Sequence, residues 1–137
     1  MQIRCELIQI RIIETEIQQI IVLKESEGNR IFPIVIGKFE AEAIDRRVKG
    51  QMLPRPMTHD LVELVMEGLG GRLLKIIITD LKDHTFYAKL VIRRNGDEIL
   101  VDSRPSDAIA LAAGHDVPIY VEEHVLNEVA GPRNEGE

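Results

Sequence analysis

From Met1 to Ile36 apolar and polar residues change places in short runs: "CELIQIRI", then "QQIIVLKE", then "RIFPIVI" after the turn-like "SEGN". A period near two over segments this short predicts three strands in a meander. Proline has no N–H to give to a ladder, so Pro33 puts an edge or a bulge in the third strand, which ends at Gly37. The period then lengthens. "KFEAEAIDRRVKG" has acids in its first half, Arg46, Arg47 and Lys49 in its last turn and Gly50 as a stop, the charge order that a helix dipole favours. The prolines of "QMLPRP" make a linker, and Thr58 is the expected N-cap of a second helix. In that helix Leu61, Leu64, Val65, Gly68 and Leu69 form one apolar stripe, with Asp60, Glu63 and Glu67 on the wet face and Gly70 and Gly71 closing it.

The second half repeats the theme. "RLLKIIITDL", the turn "KDHT", "FYAKLVIRR", the turn "NGDE" and "ILVDS" predict another antiparallel meander, with Asn95-Gly96 as a hairpin signal. A nearly all-apolar helix over about 105–113 follows, and such a helix belongs between other elements or at a subunit contact. Gly114, the strand "PIYVEE" and "HVLNEVAGPRNEGE", which begins with a helical turn, complete the chain. "IVIGKFEAEAI" (34–44) and "ILVDSRPSDAI" (99–109) both read strand, turn, helix. Either a hairpin-plus-helix unit is duplicated, or two amphipathic segments look alike. The expected fold is α/β of the α+β type: largely antiparallel strands with about three helices. Residues 1–126 form a single domain, and 127–137 are expected to be a flexible tail.

Composition narrows the functional classes. Apolar residues make up 45% of the 137-residue chain and aromatics 4%, so the core is aliphatic. A formal charge of −6 argues against a surface that is basic throughout, leaving a local patch as the only basic surface to consider. The densest such patch is Arg46, Arg47, Lys49 and Arg55, which can hold a phosphate backbone or simply gather at a helix C-terminus. Cys5 is the one cysteine, which excludes an intramolecular disulfide and a multi-cysteine zinc site. No secretory signal and no apolar run of about 20 residues is present, so a cytoplasmic protein without a membrane partner is expected. Walker, dinucleotide, H-E-x-x-H and G-x-S-x-G motifs are all missing.

Candidate chemistry sits at two helix starts. In "VDSRPSDAIALA", Pro105 suits the first helical turn, Ser103 or Ser106 can cap it, and Asp107 complements the dipole. Arg104 is not needed for any of this. A guanidinium beside open backbone N–H groups is a candidate anion site, unless Asp102 or Asp107 neutralises it. In "PRPMTHD", His59 can serve as a general acid or base, with Asp60 beside it. His59 and Glu63 are spaced to share a metal, though two ligands are too few for a specific site. Asp80, Asp83 and His84 surround a hairpin turn, where such residues are common for backbone reasons.

"FPIVIGKFEAEAI", "PRPMTHDL", "ITDLKDHTFYAKL" and "DSRPSDAIALA…VPIYVEE", in that order, resemble the bifunctional nuclease domain family over about residues 20–126. The resemblance implies an α/β domain, self-association and hydrolysis of DNA and RNA, as described for some members, especially in plants. His59, Asp60, Asp80, Arg104, Ser106 and Asp107 match its pattern. Asp45, Arg46 and Arg47 depart from it, standing where small apolar residues are expected, so this helix face is expected to meet a different partner.

The expected function is therefore a nuclease, a phosphodiester hydrolase, with catalytic residues among His59, Asp60, Arg104, Ser106 and Asp107. Arg104 and its helix N-terminus hold phosphate while His59 or a carboxylate activates water. Asp80, Asp102 or Asp107 would hold Mg²⁺ or Mn²⁺, since carboxylates suit hard ions. Expected partners are DNA or RNA and a second copy in a homodimer. The alternative is a non-catalytic regulatory module that binds an anion or a protein through the same turn. A nuclease predicts the 59/60 and 104/107 clusters on one open cleft; a structural role predicts Arg104 buried and paired with an aspartate.

Overall fold

The chain forms β1 (Gln2–Arg11), β2 (Gln18–Glu25), β3 (Ile31–Gly37), α1 (Lys38–Val48), α2 (Thr58–Gly68), β4 (Gly71–Lys82), β5 (Thr85–Arg94), β6 (Asp97–Ser103), α3 (Pro105–Ala112), β7 (Ile119–Glu122) and α4 (Glu123–Ala130). These elements come from a computed structural model that describes residues 1–132. The seven strands make one sheet in the order β3-β2-β1-β7-β4-β5-β6. Every neighbouring pair is antiparallel except β4 with β7. The fold is thus the expected α+β type, with one helix more than expected. That helix, α4, grows from the predicted single turn and runs through Asn127 to Ala130, past the point where the tail was placed. The remainder of that tail, 133–137, lies outside the described residues.

Local chemistry explains most of the elements. In β3 Phe32, Ile34 and Ile36 are buried while Ile31, Pro33 and Val35 face outward, the period-two pattern of a strand with one packed face. β3 is an edge strand, one of the two arrangements that Pro33 allows. Asp83 and His84, and then Asn95 and Gly96, all have positive φ, the geometry of two-residue hairpin turns whose twist matches the flanking strands. A strand meander followed by a helix occurs twice, β1-β2-β3-α1 and β4-β5-β6-α3, and β7 is inserted between the halves.

The inner sheet face and helices α1, α3 and α4 share one core, with Ile21, Ile44, Ile76, Ile78, Ile109 and Leu126 all solvent-inaccessible. Phe32 and Phe86, on strands five places apart in the sheet, have ring centroids 5.9 Å apart, so the sheet is curled. A buried ion pair pins one end: Arg30 donates to Glu25 through Nε (3.2 Å) and Nη2 (3.0 Å), and through Nη1 to Asn127 of α4 (2.9 Å). The all-apolar α3 is enclosed within the chain itself. No helix of the described residues is long and apolar enough to cross a membrane.

One expectation reverses. Asp60 and Glu63 of α2 point inward, to Arg47 of α1, whereas Leu64 and Leu69 of the apolar stripe are 52% and 62% exposed. A buried guanidinium without carboxylate partners would cost more than several half-exposed leucines, and that difference sets the rotation of α2. The helix start also shifts: Met57 is the N-cap and Thr58 the first helical residue, with the Met57 N–H donating to Asp60 Oδ2 at 3.0 Å.

Candidate functional site

Three helix starts converge. Glu40 lies in the first turn of α1, His59 in the first turn of α2, and Arg104 and Asp107 at the N-cap and third position of α3. Pro105 takes the first helical position of α3, as expected. Neither Ser103 nor Ser106 caps the helix; Ser103 Oγ donates to the Arg104 carbonyl instead, at 2.9 Å.

Asp107 is the hub. His59 Nε2 lies 2.9 Å from Asp107 Oδ1. Arg104 Nε donates to Asp107 Oδ2 at 3.0 Å and Nη2 to Oδ1 at 3.3 Å. Arg104 Nη1 is also 3.5 Å from Glu40 Oε1. Burial works to raise the Asp107 pKa, but the hydrogen bonds from His59 and Arg104 and their charges outweigh it, holding the carboxyl below its ordinary value. Asp107 is therefore ionised at neutral pH and fixes the imidazole in the tautomer that donates Nε2–H, leaving Nδ1 as the basic nitrogen. An imidazole oriented by a carboxylate is a general acid–base unit.

The cluster opens into a cavity of about 650 Å³. The Arg104 side chain is 64% exposed and that of His59 15%. The signatures of a nuclease and of a structural role are thus mixed: His59 and the 104/107 pair share one open cavity while Asp60 lines its neighbour, and Arg104 is exposed yet paired with Asp107. The lining carries four carboxylates, Glu40, Glu42, Asp102 and Asp107, against two guanidiniums, Arg46 and Arg104.

The other candidate residues are distributed elsewhere. Asp60 is held by Arg47 and, at 3.3 Å, by Arg46. Burial tends to raise its pKa, and the Met57 N–H and the two arginines more than reverse this. Asp60 is thus placed as a helix-start and ion-pair residue. Ser106 is buried and lines a different cavity, with Ile34, Ile36 and Phe86. Asp80 faces Lys82 and His124, each at 3.5 Å, and Asp102 stands on the cavity rim, 3.8 Å from Lys89. Asp80, Asp102 and Asp107 therefore do not meet, and among the described residues no three His, Cys, Asp or Glu side chains group as metal ligands. His59 and Glu63 do not pair either: His59 turns to Asp107, and Glu63 to Arg47 and His115.

The basic patch is also divided. Arg47 is 7% exposed, and its fork is used by the Ala110 carbonyl, Asp60 and Glu63. It is thus an internal brace, closed to a nucleic-acid backbone. Lys49 pairs with Asp45 at 2.9 Å. Arg46 lines the His59 cavity, and Arg55 a neighbouring one. Glu40 is the site residue that sequence reasoning missed. Locally it is only a first-turn acid, and nothing near it in sequence signals a contact with Arg104.

Residues 21–134 match the family model described as the bifunctional nuclease domain. An uncharacterized protein of Mycobacterium tuberculosis is 45% identical over 117 residues, covering 85% of this chain and 70% of that protein. Bifunctional nuclease 1 of Oryza sativa subsp. japonica is 28% identical over 109 residues, and Bifunctional nuclease 2 of Arabidopsis thaliana 26%. Each of these two alignments covers 77% of this chain but 33% of the plant protein.

Proposed function

This chain belongs to the bifunctional nuclease domain family, and from that membership we propose that it hydrolyses phosphodiester bonds of DNA or RNA at the His59–Asp107–Arg104 cluster. The observation that carries the proposal is the hydrogen-bonded contact of His59 and Arg104 with one ionised carboxylate in an open cavity. In this reading Arg104 holds the scissile phosphate and offsets charge on its non-bridging oxygens. His59 accepts a proton from the attacking water as the new P–O bond forms, and Asp107 stabilises the resulting imidazolium. The same imidazolium returns the proton to the departing sugar oxygen as the old P–O bond breaks.

The acidic excess of the lining supports a second reading, a non-catalytic module in which Asp107 and Glu40 neutralise Arg104. Cleavage of fluorescent single-stranded RNA and DNA, in Mg²⁺, Mn²⁺ or EDTA, separates the two. With wild-type protein active, His59→Gln, Arg104→Ala and Asp107→Asn should each lower the rate about 100-fold or more while remaining folded. Equal rates in wild type and folded variants would sink the nuclease reading.

We also propose that the domain self-associates through α2. Leu61, Leu64, Val65 and Leu69 are all exposed there, and large apolar side chains gathered at helical spacing on one exposed face support an interaction site.

A further inference from the structure

A second cavity, of about 540 Å³, lies between the end of α1, the 50–56 segment and α2. Arg46 lines both this cavity and the one containing His59, so the two adjoin. Their charge balance is opposite. Asp60 and Glu63, the two acids of the second cavity, are already held by Arg47. Against these two carboxylates stand three guanidiniums, Arg46, Arg47 and Arg55, together with the His115 imidazole, so the lining carries a positive excess.

Arg46 uses Nη1 on Asp60, at 3.3 Å, while its Nη2 is buried with no hydrogen-bond partner among the described residues. A buried charged donor without an acceptor is unfavourable, and since Nη2 is closed to solvent, Arg46 meets the cavity through the rest of its side chain. Arg55 makes no hydrogen bond or ion pair among the described residues. Pro54 and Pro56 flank it and restrict the backbone on either side, so its presentation is partly fixed before anything binds. His115 Nε2 is 3.4 Å from Glu63 on the same wall. Met52 and Pro54 supply apolar surface beside these cations.

We infer that Arg46, Arg55 and His115 form an anion subsite that takes the phosphate next along the strand from the one held at Arg104. Guanidinium forks suit phosphate oxygens, and the apolar wall suits the sugar and base between two phosphates. The assignment of the ligand as a nucleic-acid strand rests on the nuclease reading; the anion site itself can be observed without cleavage.

The test follows the imidazole NMR signals of His115 and His59 in EDTA. The probes are inorganic phosphate and thymidine dinucleotides with phosphates on both ends or on neither. Phosphate should shift His115, and the end-phosphorylated dinucleotide should bind about tenfold tighter than the plain one. Arg55→Ala, an exposed change, should abolish both effects and leave the His59 response in place. A silent His115, or a tenfold difference that persists in Arg55→Ala, would overturn the subsite. Cleavage by the same preparations judges the other proposal separately: inactive wild type with a responding His115 removes the nuclease reading alone, and active wild type with a silent His115 removes the subsite alone.

Discussion

Arg47 and Arg104 look equally exposed in the sequence, each a cation near a helix end, but their surroundings give them different work. Arg47 is enclosed by α1, α2 and α3 and donates to Ala110, Asp60 and Glu63. Arg47→Ala would leave two carboxylates and a carbonyl facing one another without a cation. The expected loss is about 3 kcal/mol or more, read as a lower urea midpoint, and an unchanged midpoint would contradict the brace. Asp107 makes a pH prediction. Its folded pKa is depressed, so its contribution to stability is fully present above the unfolded value of about 3.9 and is lost as pH falls through the folded value. Urea unfolding of wild type between about pH 6 and about pH 3 should therefore show stability falling at the acid end, with a shallower fall in Asp107→Asn. Parallel curves would mean that the carboxylate gains nothing from His59 and Arg104.

Among the elements, α2 is where sequence and structure part most clearly. Its apolar stripe, read from spacing, exists, but it faces outward, while Asp60 and Glu63 turn to Arg47 and Glu67 stays exposed. Leu64→Glu discriminates the two orientations. With the stripe outside, the variant keeps its fold and its unfolding midpoint and loses self-association, so light scattering returns the 15.5 kDa chain mass while wild type gives a multiple of it. Wild type at 15.5 kDa would remove the α2 contact, and an unfolded variant would mean that the stripe is core. β6 has a related exposure: Ile99, Leu100 and Val101 stand on an edge strand with one side unpaired, an arrangement that favours association with another surface.

For the whole molecule, local sequence determined the two meanders, α1, α3, the hairpin turns at Asp83 and Asn95, and that β3 has an edge or a bulge at Pro33. These follow from neighbouring residues, through side-chain alternation, turn dihedrals and the missing N–H of Pro33, so the sequence carries them in short windows. The N-terminal chemistry of α3 was equally legible, because Pro105 and Asp107 act within one turn. Other features were decided only by tertiary packing. β7 inserts between β1 and β4 and pairs in parallel with β4, across a sequence separation that no local period encodes. His59 reaches Asp107 over 48 positions, while Asp80 and Ser106, expected at the same site, face other surroundings. The outward face of α2 was also settled by packing, for a physical reason: enclosing Arg47 demands charged partners, and that demand outweighs the burial of a few leucines.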